Sequence, residues 1–125
     1  MIGQIIGSLA HKGDRFVIIN AGGVGYKIFV TADTLRELAQ SDFEVSLWTH
    51  LAVKEDALDL YGFLEQPELD FFEMLITVSG IGPRSAERLA FHILKSDKDA
   101  ALALAGAIRE VKENVRHCRS CYNLT

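Results

Sequence analysis

The chain has 125 residues, enough for one domain or two small ones, and 49% of them are apolar, which supports a packed core and argues against wholesale disorder. Net charge is −4, which argues against an indiscriminate polyanion binder, but residues 80–125 hold 8 Lys/Arg against 5 Asp/Glu while residues 1–79 hold 5 against 12. A bound polyanion is therefore expected at the basic C-terminal third.

The first 63 residues read as strands. IGQIIGSLA is a first strand. FVIIN and VGYKIFV follow, joined by AGG, a glycine turn that supplies positive φ. TADTLRELAQ reads as a short helix capped by Thr31, with Leu35 and Leu38 on its buried face. FEVSLWTHLAVK alternates, with Phe43, Val45, Leu47, Leu51 and Val53 on one side and Glu44, Ser46, His50 and Lys54 on the other. ALDLYGF makes a fifth strand. Five strands with a helix between the third and fourth is the order of an OB-fold β-barrel.

The rhythm changes at LEQPELDFFEMLITV. Pro67 suits a first helical turn, Glu68 and Asp70 favour its positive end, and Phe71, Leu75 and Val78 recur at helical spacing. A second helix is expected over 83–95 with Ala86, Leu89, Ala90 and Ile93 on one face. Ser96 with Asp99 forms a capping pattern. A third helix runs to about His117, with Leu104, Ile108, Val111 and Val115 as its stripe. The expected division is an OB-fold domain over 1–64, a small all-α helix-hairpin-helix domain over 65–117, and a tail over 118–125. No run is apolar enough to span a bilayer, so no membrane contact is expected. The start has neither a basic flank nor a long apolar core, so no signal peptide is expected and the cytoplasm is the default location.

Residues 79–94, SGIGPRSAERLAFHIL, carry the strongest functional signal. Gly80 and Gly82 permit conformations that a Cβ would obstruct, Ile81 can dip back between the helices, and Pro83 is preorganised for helix entry. The amides at such a helix start, with the dipole behind them, favour an anion. Arg84, Ser85 and Arg88 fall within the first two turns to assist. This is the pattern of a helix-hairpin-helix, which grips a DNA backbone without reading bases. The bland alternative is a tight turn between two helices.

The segments MIGQIIGSL, GGVGYKIFV, THLAVKEDALDLYGF and FFEMLITVSGIGP resemble the RuvA family of bacterial Holliday-junction-binding proteins, over residues 1–84. The resemblance implies a tetramer that holds branched DNA in recombination and repair. It also implies a partner, a RuvB-like hexameric ATPase motor that drives branch migration. KEDA matches the family's acidic hairpin, so Glu55 and Asp56 resemble the acidic pin at the junction centre. Two carboxylates on a turn repel phosphates, and four copies would keep duplex arms apart; without the resemblance a solvated turn is the better reading. Gly80, Gly82 and Arg84 match the first of the family's two DNA-gripping hairpins. The family's second hairpin and its motor-contacting domain are not found in this sequence.

Residues 80–125 instead resemble the helix-hairpin-helix region of RecR, a recombination mediator family. There a C-x-x-C opens a four-cysteine zinc site. Cys118 and Cys121 supply two ligands, and zinc normally takes four. A complete zinc site within one chain is therefore not expected; a site shared between chains, or two free thiols, remain open. His11, His50 and His92 form no ligand spacing. Trp48 could stack a base but is better placed to pack on a neighbouring domain or subunit. No catalytic constellation, ATP site or other cofactor motif is evident, so the chain is not expected to be an enzyme by itself. A non-catalytic junction binder is the first expectation. An oligomeric scaffold with weak DNA binding and a RecR-like mediator module are the alternatives.

Overall fold

The computed structural model describes residues 1–40 and 44–114. Two compact units divide the chain, Met1–Phe91 and His92–Thr125.

The first unit opens with β1 (Gln4–Lys12), β2 (Phe16–Ala21) and β3 (Val24–Phe29). The β2–β3 turn has Gly22 at φ 62° and Gly23 at φ 88°. Two consecutive positive φ values give the turn whose twist matches the flanking strands, and glycine adopts them without strain. Helix α1 (Ala32–Ala39) follows; the Thr31 hydroxyl accepts from the Thr34 amide at 3.3 Å, and Leu38 is buried. Thr31 caps this helix as its sequence implied. β4 (Val45–Val53) and β5 (Leu58–Phe63) then form a hairpin.

The strands close into a barrel in the order β1-β2-β3-β5-β4, with β3 and β5 parallel and the other pairs antiparallel. This is the expected OB-fold barrel. Alternating residues fill it: Ile5, Val17, Ile19, Ile28, Val45, Leu47 and Leu60 meet inside, closed by Val30 and Leu38.

A second apolar cluster lies outside the barrel wall, where Ala52, Tyr61 and Phe63 meet Leu69, Phe72 and Ala86. Trp48 is half-buried against it, so its packing role stands. Helix α2 (Gln66–Ile76) supplies Leu69 and Phe72 to this cluster, and the first turns of α3 (Pro83–Lys95) supply Ala86. His50 on β4 meets Glu73 on α2 at 2.7 Å, and the His50 ring packs edge-on against Phe72.

Three expected faces in this unit are corrected. Val53 is 70% exposed because neighbouring Ala52 turns into the second cluster. The buried stripe of α2 is Leu69 and Phe72, backed by Leu75 and Ile76; Val78 is exposed and Phe71 is only half-buried. On α3 Ala86 and Ala90 are buried and Leu89 is exposed. Small side chains let that face approach closely.

In the second unit, α4 (Lys98–Asn114) is capped by Asp97 rather than Ser96. The Asp97 carboxylate accepts from the Ala100 amide at 2.8 Å, while the Ser96 hydroxyl donates back to the Ile93 carbonyl. The expected stripe of Leu104, Ile108 and Val111 is exposed, and α4 has no buried residue. Val115 and the 118–125 tail lie outside the described residues, as does Phe43.

Candidate nucleic-acid interface

The connection between α2 and α3 is short and sharply turned. Gly80 takes φ 91°, a conformation that L side chains rarely adopt, and the Ile81 amide donates to the Val78 carbonyl at 3.1 Å. Ile81 is half-buried against the Tyr61–Phe72–Ala86 cluster, so it does dip back and anchor the turn. Gly82 is exposed, and its carbonyl accepts from the Ala86 amide at 2.9 Å, opening the α-helical ladder. The amides of Arg84 and Ser85 therefore fall in the first turn, where the helix itself offers no acceptor. A Cβ at Gly80 or Gly82 would meet nothing within 4 Å, so both positions present bare backbone to solvent.

The arginines of α3 are less simply placed. Arg84 and Arg88 line a crevice of about 70 Å3 together with Arg15, Phe29, Tyr61 and Glu87. Arg15 comes from the β1–β2 loop, Phe29 from β3 and Tyr61 from β5, so the barrel forms one wall and α3 the other. Arg84 and the Tyr61 phenol line this crevice together, and the guanidinium favours the ionised phenol. Burial, with Asp59 and Glu87 nearby, still pushes the Tyr61 phenol upward, and Arg84 opposes that shift. Ser85 is exposed in the first turn of α3. The structure thus collects Gly80, Ile81, Gly82, Arg84, Ser85 and Arg88 around one helix start.

Sequence reading missed Arg15 and Glu87. Glu87 is half-buried, and one of its carboxylate oxygens is buried without a hydrogen-bond partner. Burial holds its carboxyl above the ordinary value of 4.5, although Arg15, Arg84 and Arg88 all pull the other way. The sign for stability follows. The folded state keeps a proton that the unfolded state releases, so stability falls as pH rises from 4.5 through the folded value, and the penalty is complete above it. Glu87→Gln is expected to raise the melting temperature at neutral pH by about 1–3 °C. The gain should vanish below the unfolded carboxyl value. Parallel melting curves for variant and parent across that range would contradict this.

Glu55 and Asp56 occupy a separate element. They form the tip of the β4–β5 turn, closed by a 2.8 Å bond from the Lys54 amide to the Ala57 carbonyl, and both are exposed. Cys118 and Cys121 lie outside the described residues. Among the described residues no helix is long and apolar enough to cross a membrane.

The family model for the RuvA N-terminal domain matches residues 1–62, the whole barrel but for the end of β5. The front half of the chain belongs to the RuvA N-terminal domain family. Behind this RuvA-type domain, the model for the RecR helix-hairpin-helix matches residues 71–112. Curated relatives carry the name Holliday junction branch migration complex subunit RuvA. That of Acetivibrio thermocellus is 45% identical over 86 residues, covering 69% of this chain and 43% of the relative. That of Geobacter sulfurreducens is 39% identical over 87% of this chain and 55% of the relative. The Marinomonas relative is 35% identical over 92% of this chain and 62% of its own length. The RuvA likeness thus extends beyond the RuvA-type domain into the RecR-like helices. The chain spans about half the length of these relatives.

Proposed function

We propose that the chain is a non-catalytic DNA-binding protein that recognises branched DNA of the Holliday-junction type. The observation that carries this is the α2–α3 turn: bare glycine backbone at Gly80 and Gly82 opens a helix whose first two turns bring Arg84, Ser85 and Arg88. Phosphate is the ligand such a helix start favours, because unsatisfied amides and the helix dipole act together. A phosphodiester backbone could approach there without meeting a side chain. The RuvA relatives are named for a branch migration complex, and the RuvA-type domain supports the same role here.

In this reading residues 65–117 grip the backbone and the barrel of residues 1–64 is the platform. Glu55 and Asp56 sit at the crossover of a tetramer as its acidic pin. Their exposed position at a turn tip suits that role, since repulsion between carboxylates and phosphates acts across a short solvent gap. The motor of the branch migration complex is the expected partner protein.

Mobility-shift competition tests the proposal. A synthetic four-way junction is expected to displace labelled junction at lower concentration than linear duplex of equal length, and Glu55→Gln with Asp56→Asn should narrow that difference. Equal competition by junction and duplex would remove the junction reading. The exposed apolar stripe of α4, Leu104, Ile108 and Val111, favours a second reading as an oligomeric scaffold. On that reading assembly would persist and DNA affinity would be negligible.

A further inference from the structure

The crevice beside the hairpin is more positive than its own residues neutralise. Three guanidinium groups, of Arg15, Arg84 and Arg88, line it against one carboxylate, Glu87, with Asp59 close to the Tyr61 wall. Glu87 can compensate one of three guanidinium charges, and one of its oxygens is buried with no hydrogen bond. Arg84 and Arg88 belong to the helix start already described. Arg15 does not: it reaches the crevice from the barrel. Its loop is fixed at both flanks, by bonds from the Val30 amide to the Arg15 carbonyl at 3.0 Å and from the Gly13 amide to the Phe16 carbonyl at 2.8 Å. The positive surface continues along the same wall. The Lys27 ammonium lies 4.5 Å from the Phe16 ring centroid and 5.5 Å from that of Phe29, which itself lines the crevice.

We propose that Arg15 is a further phosphate-contacting residue, so that the barrel and helix α3 together hold a DNA backbone phosphate in the crevice between them. The proposal rests on the DNA-binding reading above. Arg15 is exposed, and exposed ion pairs contribute little to folding, so a purely structural role offers it little. A guanidinium instead presents forked donors that suit a phosphate's paired oxygens. The Glu87 carboxylate occupies the crevice as a resident anion, and an arriving phosphate must compete with it.

Salt dependence separates a phosphate contact from a packing effect. Each neutralised phosphate contributes about 0.9 to the slope of log K against log salt on duplex arms. Binding of the full chain to a synthetic four-way junction is to be measured by fluorescence anisotropy from about 50 to 200 mM salt. Arg15→Ala is expected to flatten the slope by about 0.9 and Arg15→Lys to restore it. Lys12→Ala, which removes a nearby charge outside the crevice, should leave the slope unchanged. Glu87→Gln should tighten binding severalfold at the low-salt end. The proposal is overturned if Arg15→Ala keeps the parent slope while Arg84→Ala flattens it. A parent chain that fails to bind junction at the lowest salt would instead sink the DNA-binding reading, and this proposal with it.

Discussion

Combining Gly82→Val with Arg84→Ala is expected to lower four-way-junction affinity by at least about tenfold near 0.1 M salt while leaving the fold intact. The two changes act by different routes. A Cβ at 82 would meet nothing within 4 Å in the free protein, so the cost of valine there is expected chiefly when a phosphate backbone must come close. Alanine at 84 removes a guanidinium from the helix start, and with it one phosphate contact's share of the salt dependence. Arg84 also lines the crevice beside Tyr61, so the substitution removes a charge next to the barrel wall. A thermal melt must therefore accompany the binding curve, and it should shift by only a few degrees. Unchanged affinity with preserved assembly would favour the scaffold reading instead.

Phe72→Ala should be the most damaging single change to stability, at about 3–5 kcal/mol by urea unfolding. Phe72 is fully buried, with ring centroids 5.1 Å from Phe63, 5.4 Å from Tyr61 and 5.5 Å from His50. It joins α2 to the barrel wall, so its loss should release the helix that carries the hairpin as well as weaken the core. Junction binding should fall with it. Phe72→Leu keeps most of the volume and is expected to cost less than about half as much. A loss below about 1 kcal/mol for the alanine variant would mean that α2 is held by other contacts.

Much of the barrel was legible because its strands alternate and its turns carry glycine. Val45 and Leu47 face inward as the period demands, and Gly22 and Gly23 make the turn expected between β2 and β3. Alternation failed at the end of β4, where Ala52 and not Val53 is buried. Period-two reasoning assumes that one face is wet, and here α2 covers that face. The helix faces failed for a related reason. LDFFEMLI is apolar almost all round, so its own period cannot select Phe72 over Phe71; only the position of the barrel does. Ser96 and Asp97 are adjacent and both cap well, so helix entry could not be placed to the residue. The hairpin was legible because its glycines and proline are local signals. Arg15 and Glu87 were not, because their meeting depends on a loop and a helix that are far apart in sequence.

Strand β5 is a wall shared by two interiors. Leu60 points into the barrel, while Tyr61 and Phe63 point out to α2 and α3. The turn at Gly80–Gly82 thus inherits its aim from the barrel through Ile81 and Phe72, with no free linker between them. Repositioning the hairpin would mean unpicking that shared wall. On the proposed reading of an assembly that holds branched DNA, the angles between duplex arms would therefore be dictated by how barrel meets barrel. A substitution at a barrel-to-barrel contact, far from any phosphate, would register as a change in the shape of the DNA.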